Sequence, residues 1–432
     1  MPAAEAGPVT PAEADRLFCL FAGHPHVALA VSGGADSTAL LFLAQRWRQA
    51  QSGATKLSVL TVDHGLRAQA RVEAEAVVRL AGRFGLFARL LTWQGVKPAS
   101  GIQDAAREAR RELLLGAARE LGATAIALAH TADDQAETLV MRLARGSGLD
   151  GLAAMAPALA YKKIMLLRPL LGVSHARLVA TLNAEGLCWS DDPANVNPDF
   201  ERVRVRRLLA VLAGSGIGTA ALAHSAERLG RARAALQDIT EAAWVRLMMI
   251  RPEGFIEVDR AAFAAEPAEI RVRLMERGVR IAGGAVSDSA RLSAVEAVAA
   301  WLETGHGRAR TLAGARIVRR RDTILIGREP GRLGTEPVQL VREGLLWDGR
   351  FIIRPGGDTY RSLEGLAIVP GKALGDGVLK LGGKETALPR FVTDTRPVVV
   401  TGDRPLGFAG VAATGLEAHF AAAARDEGEK CG

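Results

Sequence analysis

A chain of 432 residues, 49% of them hydrophobic, is too long for one typical domain and has material for two or three cores. Its net charge of +8 suits a polyanionic partner, while aromatics at only 5% leave few stacking platforms. Cys19, Cys188 and Cys431 are far apart and form no CxxC, which argues against a disulfide framework and a zinc site, and no apolar run reaches membrane-spanning length; a soluble cytoplasmic protein with no membrane contact is expected.

In chain order, Pro11 to Ala22 reads as a helix, with Thr10 as N-cap and Pro11 at the first helical position. Val27 to Val31 is a short apolar run that reads as a buried strand. It ends in Ser32-Gly33-Gly34-Ala35-Asp36-Ser37, after which the pattern is helical to about Gln51. Strand, glycine-rich turn and helix is the layout in which backbone N–H groups at a helix N-terminus meet phosphate. Asp36 is unusual there, because a carboxylate beside a polyphosphate makes sense with Mg²⁺ between them. The Gly-Lys-Ser/Thr ending of a Walker loop is missing.

Lys56 to Val62 reads as a second buried strand ending in Asp63-His64-Gly65-Leu66-Arg67. A helix from Ala68 to Phe84, a strand from Ala88 to Trp93 and a long helix from Gly101 to Leu121 follow. Ala123 to Ala129 is another apolar strand, and it runs into His130-Thr131-Ala132-Asp133-Asp134-Gln135-Ala136-Glu137 at the start of a helix to about Ala144. Strands alternating with helices imply a parallel sheet covered on both faces, with ligands beyond the carboxyl ends of its strands. All three polar clusters fall at such ends. Gly146-Ser147-Gly148-Leu149-Asp150-Gly151 matches G-x-G-x-x-G but follows a helix instead of a strand, so it reads as a helix end and connecting loop.

Ile164 to Leu167 reads as a strand, and Ser174 caps a helix to about Glu185. Trp189 to Pro198 is a turn-rich loop. Arg202, Arg204 and Arg206 alternate as on a strand face, but they follow a Pro/Asn loop and precede Leu208-Leu209, which favours the start of a helix. Alanine-rich helical periodicity recurs over Thr219–Ile250 and Asp288–Thr304, with a charged connection and a hairpin at Gly254–Asp259 between them. Thr311–Arg320 and Thr323–Gly327 read as strands. Beyond Gly331 short strands dominate: Leu346, Phe351–Ile353, Leu366–Val369, Phe391–Thr393 and Val398–Val400. The expected division is 1–215 as a nucleotide-binding α/β domain, 216–330 as a mainly helical domain and 331–432 as a small β-rich module.

With Ser-Gly-Gly-Ala-Asp-Ser, Val62-Asp-His-Gly-Leu-Arg67, Gly101–Arg111, Ala129–Leu152, Arg168-Pro-Leu-Leu171, Trp189–Asn195 and Arg202–Arg206 in that order, the chain resembles the tRNA(Ile)-lysidine synthase family of PP-loop ATP pyrophosphatases. The likeness is detailed over the first half and looser at the arginine hairpin near Thr311–Gly327. It implies an α/β, parallel-sheet PP-loop (adenine nucleotide alpha hydrolase-like) fold. It also implies a ligase that adenylates C2 of the wobble cytidine in CAU-anticodon tRNA(Ile) with ATP and then transfers free lysine to that carbon. Ser32, Gly33, Gly34, Ala35, Asp36 and Ser37 are then expected to hold ATP, with Val62 lining the adenine pocket. Mg²⁺ falls to Asp36 first and Asp133 second. Asp133, Asp134 and Glu137 are the group for the lysine ammonium and its proton; the alternative for the group, strongest for Asp134, is charge complementing a helix N-terminus. The family pattern adds Arg107 near ATP or the activated base, makes Asp36, Arg107, Asp133 and Glu137 the catalytic set, and gives the anticodon loop to Arg202, Arg204 and Arg206. Val203 departs from the polar residue common there. A homodimer stays open. The rivals are a tRNA thiolase, which wants the paired cysteines this chain lacks, and a non-catalytic RNA-binding protein.

Overall fold

The fold is described from a computed structural model, over residues 7–51, 55–65, 68–95, 97–98, 101–190, 201–284, 290–341, 343–355, 365–380, 388–402, 404–409 and 416–420. Most of the loop expected at Trp189–Pro198, together with Leu66, Arg67 and Cys431, lies outside them. The chain forms two compact units, one running through Arg233 and the other beginning at Ala234.

The first unit begins with α1 (Pro11–Phe18), where Thr10 and Glu13 form a reciprocal capping box. Then come β1 (His26–Ala30), α2 (Ala35–Ala50), β2 (Lys56–Asp63), α3 (Ala68–Arg83), β3 (Phe87–Thr92), α4 (Ile102–Glu120), β4 (Ala125–Ala127) and α5 (Ala132–Ala144). They are followed by α6 (Leu149–Leu152), β5 (Ala158–Tyr161), β6 (Ile164–Leu167), α7 (His175–Ala184), α8 (Glu201–Gly214) and α9 (Thr219–Leu247), which continues past Arg233. The sheet order is β3-β2-β1-β4-β6-β5. All neighbours are parallel except β5 on β6.

β1 shows why a continuous apolar run was the signal. Val27 and Leu29 enter one core with Leu40, Leu43, Leu178 and Phe18, while Ala28 and Ala30 enter the other with Leu114, Leu115 and Ala118. Buried on both faces, the strand has no polar positions to alternate with. The chain winds outward from β1 through β2 to β3, then α4 carries it back to β4 on the other side of β1. The connections therefore diverge between β1 and β4, which makes a crevice at their carboxyl ends.

The second unit has an antiparallel sheet of β7 (Met248–Arg251), β8 (Phe255–Asp259), β9 (Ala309–Leu312), β10 (Ala315–Arg319) and β11 (Thr323–Arg328), ordered β7-β8-β11-β10-β9. Its helices are α10 (Arg260–Ala264), α11 (Ala268–Ala282) and α12 (Leu292–Thr304). The stretch expected to be a charged connection is thus largely α11. That helix buries Ile270, Leu274, Met275 and Val279 in the core of the unit, and its half-buried arginines pair with glutamates, Arg271 with Glu303 and Arg277 with Glu241. The single strand expected over Thr311–Arg320 is a hairpin, because Ala313 (φ 44°) and Gly314 (φ 77°) both adopt the left-handed conformation of a tight two-residue turn.

Two smaller sheets complete the unit. They are built from β12 (Val338–Gln339), β13 (Leu345–Trp347), β14 (Phe351–Pro355), β15 (Leu366–Pro370), β16 (Pro397–Thr401), β17 (Arg404–Phe408) and β18 (Leu416–Phe420). Phe391–Thr393, expected as a strand, belongs to the helix α13 (Arg390–Asp394). Three apolar or β-branched residues do not distinguish a short strand from a helical turn, and Pro389 before them suits a helix entry. Inside this unit Asp348 is shared by two fully buried arginines: its carboxylate accepts from Arg328 Nε at 3.0 Å and from Arg350 Nε at 2.7 Å.

Candidate active site

The Ser32–Ser37 loop is shaped by its own last residue. Ser37 Oγ accepts from the backbone N–H of Ser32 (3.1 Å) and Gly33 (3.2 Å) and donates to the carbonyl of Gly34 (3.0 Å). Gly33 sits at φ +92°, where an L side chain is strained. Gly34 is the N-cap of α2 and offers no side chain, so the first N–H groups of the helix, from Ala35 onward, have no capping partner. Ser37 is buried and its hydroxyl is engaged within the loop, so anion contacts fall to the backbone and to Ser32.

Two clefts meet at Ser32, Gly34, Arg110 and Ser190. The first, about 440 Å³, is lined by Thr61 and Val62 from the end of β2, by His64, and by Arg107 from α4. The second, about 720 Å³, is lined by Asp36, Asp133, Asp134, Glu137, His175 and Arg206. Ser190 is fixed to the loop by its N–H on the Gly33 carbonyl at 2.9 Å. The polar clusters after β1, β2 and β4 thus meet at one crevice.

The carboxylates are held in different ways. Asp36 Oδ1 lies 2.8 Å from His175 Nδ1, and the backbone N–H of His175 donates to Asp133 Oδ2 at 2.7 Å. The hydrogen bond to Asp36 raises the His175 pKa above its ordinary value. Asp134 completes a capping box with Thr131 and lies 3.7 Å from Arg202. Glu137 is buried; its Oε1 accepts from Arg206 Nε, and among the described residues its Oε2 has no hydrogen-bond partner. Burial raises the Glu137 pKa, against the Arg206 guanidinium that lowers it.

α8 settles the alternation of its arginines. Arg202 and Arg206 are one turn apart and meet Asp134 and Glu137 on α5, while Arg204 is exposed on the other side. Val203 is buried, so an apolar residue there fills space. His130 is held by Arg168, whose Nε donates to its Nδ1 at 3.3 Å. Burial, with help from nearby arginines, pushes its pKa down to about 4, so the ring is neutral with its proton on Nε2.

The family profile described as a PP-loop domain matches residues 11–212. The chain is 45% identical over 345 residues to the tRNA(Ile)-lysidine synthase of Bradyrhizobium sp. (strain BTAi1), covering 75% of this chain and 96% of that one. It is 44% identical over 341 residues to the tRNA(Ile)-lysidine synthase of Rhodopseudomonas palustris, covering 76% and 97%. This chain belongs to the tRNA(Ile)-lysidine synthase family. Among solved structures, the U34-tRNA thiolase NcsA of Methanococcus maripaludis is similar at a TM-score of 0.44 and 20% identity, over 51% of this chain and 79% of that one.

Within this member of the synthase family, His175 and Ser190, which line the crevice, and Arg168, which holds His130, escaped the reading of the sequence as site residues. Arg168 stood only as part of a family motif. His175 carried no signal, being a lone histidine after a helix cap whose partner Asp36 is 139 positions away. Among the described residues no single helix is long and apolar enough to cross a membrane.

Proposed function

We propose that the chain joins lysine to C2 of the wobble cytidine of CAU-anticodon tRNA(Ile) in the cytoplasm. The observation that carries this is the meeting of an anion-cradling loop with a carboxylate-lined cleft in a chain of this family. ATP lies in the smaller cleft with its adenine near Val62 and its phosphates on the Ser32 hydroxyl and the backbone N–H groups of Gly34, Ala35 and Asp36, while Gly33 lets the loop turn close to them. Ser37 keeps that loop in shape. The cytidine O2 attacks the α-phosphorus and pyrophosphate leaves. The lysine ε-amine, having lost its proton, then attacks C2, and AMP leaves with the O2 oxygen.

Asp36 and Asp133 suit Mg²⁺, which commonly takes one or two carboxylates beside substrate phosphates; among the described residues no group of three or more His, Cys, Asp or Glu forms an all-protein cage. When bound, the metal supplies charge neutralisation to the leaving pyrophosphate. Glu137, with one oxygen buried and unpartnered, receives the lysine ammonium beside Asp133 and takes its proton. Asp134 supports from the helix cap. Arg107, on the wall of the smaller cleft, steadies ATP or the activated base, while Arg204, with the exposed parts of Arg202 and Arg206, meets the anticodon loop.

Pyrophosphate release tests the first half-reaction. It should be stimulated by a tRNA(Ile) transcript with a CAU anticodon and not by one whose wobble cytidine is replaced by uridine. Equal stimulation by both would overturn the reading.

A further inference from the structure

We infer that His175 is a positioning residue that builds the cation site used in adenylation, by fixing one oxygen of each of two carboxylates from the first turns of different helices. The inference rests on the reading that Asp36 and Asp133 hold the divalent cation of bound ATP. Asp36 lies in the first turn of α2, after β1, and Asp133 in the first turn of α5, after β4, so the two flank the crevice where the connections diverge. Two carboxylates brought together repel unless donors stand between them. His175 supplies both donors. Its ring Nδ1 meets Asp36 Oδ1 at 2.8 Å and its backbone N–H meets Asp133 Oδ2 at 2.7 Å.

The backbone donor is available because His175 opens α7, where an N–H has no intrahelical acceptor, and the Ser174 cap bonds Arg177 instead. Among the described residues, Asp36 Oδ2 and Asp133 Oδ1 accept no hydrogen bond, so each carboxylate keeps one oxygen for a metal. Outer partners that orient metal-binding carboxylates in this way typically change metal affinity by about 10–100-fold. The geometry also says which substitutions can replace the ring. The side-chain amide nitrogen of Asn sits as far along the chain as His Nδ1, whereas that of Gln lies one atom further. The backbone bond to Asp133 survives any side-chain change.

The test is the tightening of ATP binding by Mn²⁺, measured by equilibrium dialysis of labelled ATP against the full chain, without tRNA, in Mn²⁺ or in EDTA. The wild type should bind ATP more tightly in Mn²⁺, and Asp36→Asn should lose that gain. His175→Ala and His175→Gln should lose a factor of roughly 10 or more of it, while His175→Asn should stay close to wild type. Thermal midpoints should be alike for all of them, and ATP affinity in EDTA should be alike for the wild type and the three His175 variants. If His175→Ala and His175→Gln keep the full Mn²⁺ gain while Asp36→Asn loses it, the role of His175 is refuted and the metal reading stands. If His175→Asn falls as far as His175→Gln, the positioning geometry is refuted. If the wild type shows no gain, or Asp36→Asn keeps it, the metal reading fails and takes this inference with it.

Discussion

Four polar side chains at the crevice differ in what they are free to do. Asp134 is occupied by the Thr131 cap and Ser37 by its own loop, Asp36 is oriented by His175 with its other oxygen left for a cation, and Glu137 is buried with one oxygen unpartnered among the described residues. Glu137 is therefore the group whose removal should separate the two half-reactions. Glu137→Gln should reduce lysine transfer by roughly 100-fold or more, the usual weight of a positioned base, while tRNA-stimulated pyrophosphate release continues. Equal loss in both assays would contradict the assignment. His130 gives a second expectation. The unfolded chain binds a proton at this residue near pH 6.5, whereas the folded chain does so only at about 4. Between those values the unfolded state holds more protons, so this group lowers folding stability as the pH falls through the window and has no effect above it. Histidine NMR should find the His130 ring titrating near 4, and His130→Asn should flatten the loss of stability between pH 6.5 and 4 relative to wild type.

At the scale of elements, what could be read from the sequence was whatever one element reveals by itself. β1, β2 and β4 were legible because a strand buried on both faces is a short apolar run, and each ended in a polar cluster at the crevice. The α5 start was legible because Thr131 and the acids after it form a cap. The hairpin at Ala313-Gly314 was hidden by alanine in a left-handed position that glycine or asparagine usually fills. α11 was hidden because its many charges masked the apolar stripe. The pairing of α8 with α5 was also out of reach, since Arg206 and Glu137 are 69 positions apart. The buried cluster around Asp348 was likewise unmarked in the sequence. Its two arginines also donate to backbone carbonyls of Gly283, Gly314 and Thr395, so they tie several elements of the second unit together. Asp348→Asn keeps the shape but leaves two buried guanidinium groups without their anion. It should destabilise that unit by roughly 3–5 kcal/mol, seen as a lower denaturant midpoint with an unchanged slope. A midpoint equal to the wild type would contradict a role for the charge.

At the scale of the whole molecule, a PP-loop core sits in a basic chain of the lysidine synthase family. The loop after β1 suits ATP, the carboxylates of α5 suit an amine, and the net charge of +8 suits RNA. Together they predict an amine transfer that a sulfur-transfer enzyme on the same fold would not perform. The most direct measurement is incubation of the full chain with ATP, labelled lysine and a tRNA(Ile) transcript carrying a CAU anticodon. Label should appear in that tRNA, depend on ATP, and be absent when the wobble cytidine is replaced by uridine. Pyrophosphate release with no lysine label in the tRNA would contradict the account.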